Sequence, residues 1–270
     1  MVRNPAVAGH FYPGDRESLL KEIERLSGKA VGSSQDVIGI ISPHAGYIYS
    51  GGVAAEVFSS IKRKSTYIIM GPNHTGLGSA FSITASDSWK TPLGEVKVNS
   101  ALADKILENC PELRRDELAH IHEHSIEVQL PFLQRGGSDF GFVPILIAMG
   151  NLEIYRKIGE GIARSVKDLK IEKETVIIAS SDMTHYESQE SAKKKDLKAI
   201  DAVLSLDEKA LIERVKEMDI SMCGFGPAAI MIAAAKKLGA KKARLVKYQT
   251  SGDTSGDYSS VVGYAGIIIY

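Results

Sequence analysis

Short apolar runs rich in β-branched residues alternate along the chain with longer segments of helical period. Residues 37–41, 66–70, 81–85, 140–147, 175–179, 243–249 and 261–269 read as strands. Residues 15–27 place Leu19, Leu20, Ile23 and Leu26 on one helical face, and Gly28 is a natural stop. Residues 51–61, 101–109, 152–169, 189–205, 207–218 and 227–238 read as further helices, with Pro227 at a first-turn position where its missing N–H costs nothing. Residues 122–134 read as helical because Ile126, Leu130 and Leu133 share a face, with Pro131 bending the helix or marking its end. The stretch 87–98 is a turn-rich excursion carrying Trp89. Strand 37–41, helix 51–61 and strand 66–70 form a βαβ unit, and its right-handed crossover makes the two strands parallel. No linker or internal repeat divides the chain, so the expected fold is one α/β domain over residues 1–270, a three-layer α/β/α sandwich with a mostly parallel central sheet.

Three of the strands stop at similar places. Strand 37–41 runs into SPHAGYIYSGG, where Pro43 ends it and His44 follows; strand 66–70 runs into GPNHTG, with His74; strand 175–179 runs into SSDMTHY, with Asp182 and His185. In open α/β sheets ligands bind outside the carboxyl ends of the strands, so the three ends predict one shared polar site. Imidazole and carboxylate are the usual ligands of zinc, iron and copper.

Composition removes several classes of function. Charge is balanced at 33 basic against 33 acidic residues, and lysine runs such as 193–195 are solvated faces, so no nucleic-acid footprint is present. The N-terminal residues lack the apolar core of a secretion signal and no window resembles a membrane span, which predicts a cytoplasmic protein with no membrane partner. Two cysteines, Cys110 and Cys223, argue against a disulfide framework, and the Asn73-His74-Thr75 sequon has no use without secretion. GxGxxG and phosphate-loop motifs are missing.

The densest titratable stretch is 120–127, HIHEHSIE, which lacks the HExxH of zinc proteases. On a helix His120 and His124 share a face and His122 points away, and His124 is the choice for proton transfer or substrate binding. Cys223 precedes a helix N-terminus, where aligned N–H groups favour a thiolate, although a free cysteine is more often a small buried hydrophobe, the reading kept for Cys110. Phe11, Tyr12, Tyr47 and Tyr49 wall a pocket or fill the core. The repeated Ser-Gly-Asp after residue 250 is an anion nest or, more simply, a hairpin connection.

Read in order, AVAGHFYP, PHAGYIYSG, GPNHTG, TPLGEV, EHSIEVQLPFL, SSDMTHY, MCGFGP and SGD with VVGYA resemble the Memo family, homologues of the mediator of cell motility, from residue 6 almost to the C-terminus. The resemblance implies a fold similar to LigB-like class III extradiol dioxygenases, with a metal in the crevice at the strand ends. It places the metal ligands on His44, His74 and Cys223, sets Asp182 and His185 beside them, and puts His124 where the dioxygenases carry a proton-handling histidine. A thiolate in place of the dioxygenase carboxylate softens the site toward Cu(I) or zinc. The expectation is therefore a metal-dependent oxidoreductase with one transition-metal ion, iron or copper ahead of zinc, acting on an unknown small molecule or peptide. A ligand- or peptide-binding module without turnover and a zinc hydrolase are the alternatives.

Overall fold

The computed structural model describes residues 1–28 and 34–270. Its elements run in the order β1 (Val2–Arg3), α1 (Arg16–Ser27), β2 (Gly39–Ser42), α2 (Tyr47–Ser59), β3 (Thr66–Pro72), β4 (Phe81–Ile83), β5 (Ser88–Thr91), β6 (Gly94–Val98), α3 (Ser100–Asn109), β7 (Arg114–Arg115) and α4 (Leu130–Gln134). They continue with β8 (Gly141–Ile147), α5 (Leu152–Asp168), β9 (Thr175–Ser180), β10 (His185–Glu187), α6 (Gln189–Leu204), α7 (Glu208–Glu217), α8 (Phe225–Lys237), β11 (Ala243–Thr250), α9 (Gly252–Ser255) and β12 (Val261–Ile269). The helices start where short polar side chains can cap them: Asp15, Asn99, Asn151, Ser188 and Asp207 each accept an N–H from the first turn of α1, α3, α5, α6 and α7.

Strands β8, β3, β9 and β2 lie side by side and parallel at the middle of the sheet. Every residue of β3, β9 and β2 is buried, which is why these runs are continuously apolar and do not alternate. Successive residues serve opposite layers. Ile41, Ile68, Met70 and Ile177 pack with α3, α5 and α8, whereas Ile40, Ile69, Ile178 and Ile268 pack with Val57 of α2 and Leu130 and Leu133 of α4. Antiparallel β12 closes one side of the parallel set against β2, and β11 adds beyond it. The result is an α/β sandwich around a mixed sheet whose centre is parallel, as the apolar runs predict. Among the described residues no helix is long and apolar enough to cross a membrane.

Two segments near the site depart from expectation. The excursion 87–98 is an antiparallel hairpin of β5 and β6. The expected helix 122–134 does not form over its first half: the chain runs through turns to a 3-10 turn at Glu127–Gln129 and the short α4, and Pro131 opens that helix where a bend or an end was expected. The reason is local. The Glu123 carboxylate accepts the backbone N–H groups of His74, His124 and Ser125, holding the following residues in a turn. His120 and His124 consequently share no helix face.

Candidate metal centre

Because β3, β9 and β2 are adjacent, parallel and in register, with Met70 beside Ala179 and Ser42 beside Ser180, their carboxyl ends open at one edge of the sheet. The three loops leaving that edge carry His74, Asp182 with His185, and His44. A fourth segment arrives from the other direction: Gly224 caps α8, and a Cβ there would fall 2.4 Å from the Ser180 carbonyl oxygen and 2.5 Å from Ser181 Cβ. Only glycine allows that approach, and it brings Cys223 against the strand ends. One donor atom each from His44, His74 and Cys223 then lie within 4.8 Å of one another.

Hydrogen-bond counting places a proton on Nδ1 of both rings. Ser180 Oγ has a single proton, donated to the Ser125 carbonyl at 2.6 Å, and it accepts from Gln129 Nε2 at 2.8 Å. It can therefore only accept from His44 Nδ1, 2.9 Å away, so His44 carries its proton on Nδ1 and presents a bare Nε2, 3.2 Å from Cys223 Sγ. His74 Nδ1 lies 3.0 Å from Glu123 Oε1, and an ionised carboxylate accepts only, so the His74 proton on that side is on Nδ1 and Nε2 is the nitrogen turned away from Glu123. Two imidazoles with their outer nitrogens tied to protein acceptors form the arrangement that orients metal-ligating histidines.

The electrostatics agree with neutral rings. Burial, reinforced by the neighbouring His124 and His74, holds the His44 pKa well below its ordinary value, and burial likewise lowers His124 against the opposing pull of Glu123. Burial works to raise Glu123, but the bonds from His74 and the Ser125 N–H outweigh it and hold that carboxyl at about 2. Asp182 is raised to about 6 by burial, opposed by the His44 N–H that it accepts at 2.8 Å. Cys223 departs from the helix-terminus expectation: burial, then the Asp182 charge, push its thiol upward, so without a metal it is a neutral thiol. A metal ion held there would displace that proton.

His124 stacks on His74 with ring centroids 4.8 Å apart, stands 5.5 Å from His44, and is flanked by Phe11 at 4.8 Å. Its Nδ1 is 3.4 Å from Glu123 Oε1, and His74, Glu123 and His124 form a second set of donors within 4.8 Å. Among the described residues Asp182 and His185 belong to neither set. Asp182 holds the His44 main chain, and His185 is turned to Ser221, whose carbonyl lies 2.9 Å from its Nδ1. His120 is packed on Trp89 inside the core, and His122 is exposed. Glu123, Ser180 and Gln129 are the residues that the sequence alone did not single out. Glu123 stood inside the densest titratable cluster, and only the helix reading of that cluster hid its role.

An α/β sandwich with two oriented imidazoles and a thiol converging at the carboxyl ends of its parallel strands defines a protein with a candidate metal centre. The chain matches the Memo family, described as Memo-like protein, over residues 3–268, and it belongs to that family. It is 46% identical over 281 residues to a MEMO1 family protein of Methanopyrus kandleri and 47% identical over 269 residues to one of Methanosarcina acetivorans, in each case over 99% of both chains. Its fold is similar to the crystal structure of an uncharacterized protein from Escherichia coli K12, with a TM-score of 0.59 at 13% identity, covering 86% of this chain and 99% of that one.

Proposed function

We propose that His44, His74 and Cys223 hold one transition-metal ion, iron or copper, and that the protein is a metal-dependent oxidoreductase acting on a small molecule. The observation that carries this reading is the pair of Nε2 atoms: Ser180 and Glu123 occupy the outer nitrogens of His44 and His74, leaving the two Nε2 atoms beside the Cys223 sulfur. A bound iron or copper ion would supply one-electron transfer chemistry at the site. The protein's own residues do the rest. Asp182 fixes the His44 main chain, and Glu123 fixes His74 through both its ring and its N–H. His124, neutral and half-buried against the other two rings, accepts a proton from substrate at a ring nitrogen and later returns it, and the nearby Glu123 carboxylate stabilises the protonated ring. His185, anchored by Ser221, stands with Asp182 as a second polar group beside the site.

Anaerobic reconstitution with Fe(II) and with Cu(I), followed by metal analysis, tests the reading. One ion per chain is expected in the wild type and a clear loss in Cys223→Ser. Equal stoichiometry in the two proteins removes Cys223 from the ligand set, and one equivalent of zinc with no redox response redirects the assignment to a hydrolase.

A further inference from the structure

The donor cluster has a neighbour of different character. A cleft of about 240 Å³ runs from His74 and Cys223 between the end of β8 and the start of α8. Taking about 30 Å³ per atom, it has room for a molecule on the order of eight non-hydrogen atoms. Its walls include Pro72, Ile147, Ala148, Phe225 and Pro227, and among the described residues neither a lysine, an arginine nor an acidic side chain lines it. Met149, 78% exposed, stands at its rim as a flexible apolar flap.

The polar side chains in the walls are already committed elsewhere. Asn73 donates to the Leu77 carbonyl and accepts from Thr75 Oγ1 and the Gly76 N–H. The Tyr155 hydroxyl accepts from the Gly150 N–H and donates to the Ala148 carbonyl. His74 Nδ1 is taken by Glu123. Among the described residues, the polar lining left for a ligand thus lies at one end, at the His74 Nε2 and the Cys223 sulfur or a metal ion these two would hold. A charged ligand entering this cleft would lose its water without finding a partner for its charge along the walls, whereas an apolar body loses nothing.

We propose that this cleft binds a small, uncharged, largely apolar molecule with a single polar end, seated with that end on His74 and Cys223. The inference rests on the reading of those two residues as the reactive end of the site. It adds the class of ligand that the walls accept.

The test uses the full chain with its methionine methyls isotopically labelled, in two forms: chelator-treated and loaded with one equivalent of zinc. Benzyl alcohol, benzoate and benzylammonium are titrated while the Met149 methyl resonance is followed. The neutral alcohol is expected to shift Met149 and to bind at least tenfold tighter than either ion. Ala148→Phe, which fills the cleft from a half-buried position, is expected to abolish the shift with the thermal midpoint retained, and Met149→Glu at the exposed rim, read by line broadening of the alcohol's own resonances, to weaken the alcohol severalfold. Tighter binding of benzoate overturns the inference, and points instead to the free N–H groups that open α8. An unmoved Met149 in both forms overturns it too, and the metal reading is then decided separately by the iron and copper reconstitution. Binding of the alcohol to a protein that takes up neither iron nor copper in that reconstitution upholds the cleft and removes the metal reading.

Discussion

Glu123 grips His74 twice, with Oε2 accepting its backbone N–H at 2.7 Å and Oε1 lying 3.0 Å from its ring Nδ1. One carboxylate thus sets both the position of the main chain and the tautomer of the ring. Glu123→Gln replaces one acceptor by an NH2 group facing other donors. Metal affinity, measured by competition with a chelator of known strength, is expected to fall about 10- to 100-fold. An unchanged affinity shows that His74 needs no such partner or is not a ligand.

Glu123 is itself held from below. Arg3, buried in the core, donates to the Glu123 and His120 carbonyls at 2.6 and 2.8 Å, pairs with Glu127 at 2.7 Å, and lies 4.1 Å over the Trp89 ring. Glu127 also accepts from Tyr12 and from the N–H groups of Ala6 and Val7, which ties the N-terminal segment to the turn beneath the site. Arg3→Ala leaves the buried Glu127 carboxylate without its cation and the Glu123 and His120 carbonyls without the donors Arg3 supplies. Urea unfolding should show a loss of about 3–5 kcal/mol. A loss near zero contradicts this account of the network.

The close approach of Gly224 to Ser180 gives a sharper test of how Cys223 is placed. In Gly224→Ala the new methyl meets a backbone oxygen and cannot be accommodated by rotating a side chain, so the Cys223 segment must withdraw from the strand ends. The variant should lose about 1–3 kcal/mol and bind less than one metal ion per chain. Wild-type stability together with wild-type stoichiometry argues against the packing described.

Acid sensitivity should be traceable to Glu208, far from the site on α7. It pairs with Arg156 and with Lys236, each at 2.8 Å. Burial works to raise its pKa, but the two cations outweigh burial and hold it below the ordinary value of 4.5. A carboxyl depressed in the folded state stabilises the fold fully above its unfolded pKa, and that contribution disappears as pH falls through the folded value. Glu208→Gln should therefore cost about 1–3 kcal/mol at pH 7, with wild type and variant converging as the pH falls below the ordinary carboxyl value of 4.5. A pH-independent difference between their urea midpoints contradicts the assignment.

How far the sequence discloses the site depends on what holds each residue in place. His44, His74 and Asp182 follow strands that are buried on both faces, and the length of an apolar run together with a stop such as Pro43 is a direct signal of such a strand. Their convergence follows from strand adjacency, which the parallel βαβ rule makes readable. Cys110 is the buried hydrophobe expected of it, and Tyr12 and Tyr47 are core, while Phe11 stands against His124. The connection after β11 is the antiparallel hairpin expected, with the short α9 inside it. Residues 122–134 misled because Ile126, Leu130 and Leu133 do reach one apolar cluster, but by a turn and a short helix; periodicity cannot register a carboxylate competing for the backbone N–H groups. Helix α2 begins at Tyr47, four residues before the expected start at 51, because Gly51 serves close packing and does not break the helix: a Cβ there would meet Leu26 at 2.7 Å. Cys223 was the least legible, since its place depends on a contact between α8 and β9 that spans about forty residues.

If His44, His74 and Cys223 form one metal centre, a bound ion sits among their three donor atoms. Crystals of protein loaded anaerobically with Fe(II) or Cu(I), measured on both sides of the corresponding absorption edge, locate it. A single anomalous peak in contact with His44 Nε2, His74 Nε2 and Cys223 Sγ is expected, lost in Cys223→Ser. A loaded crystal with no peak among these three atoms, or with its peak at another group of residues, contradicts this assignment.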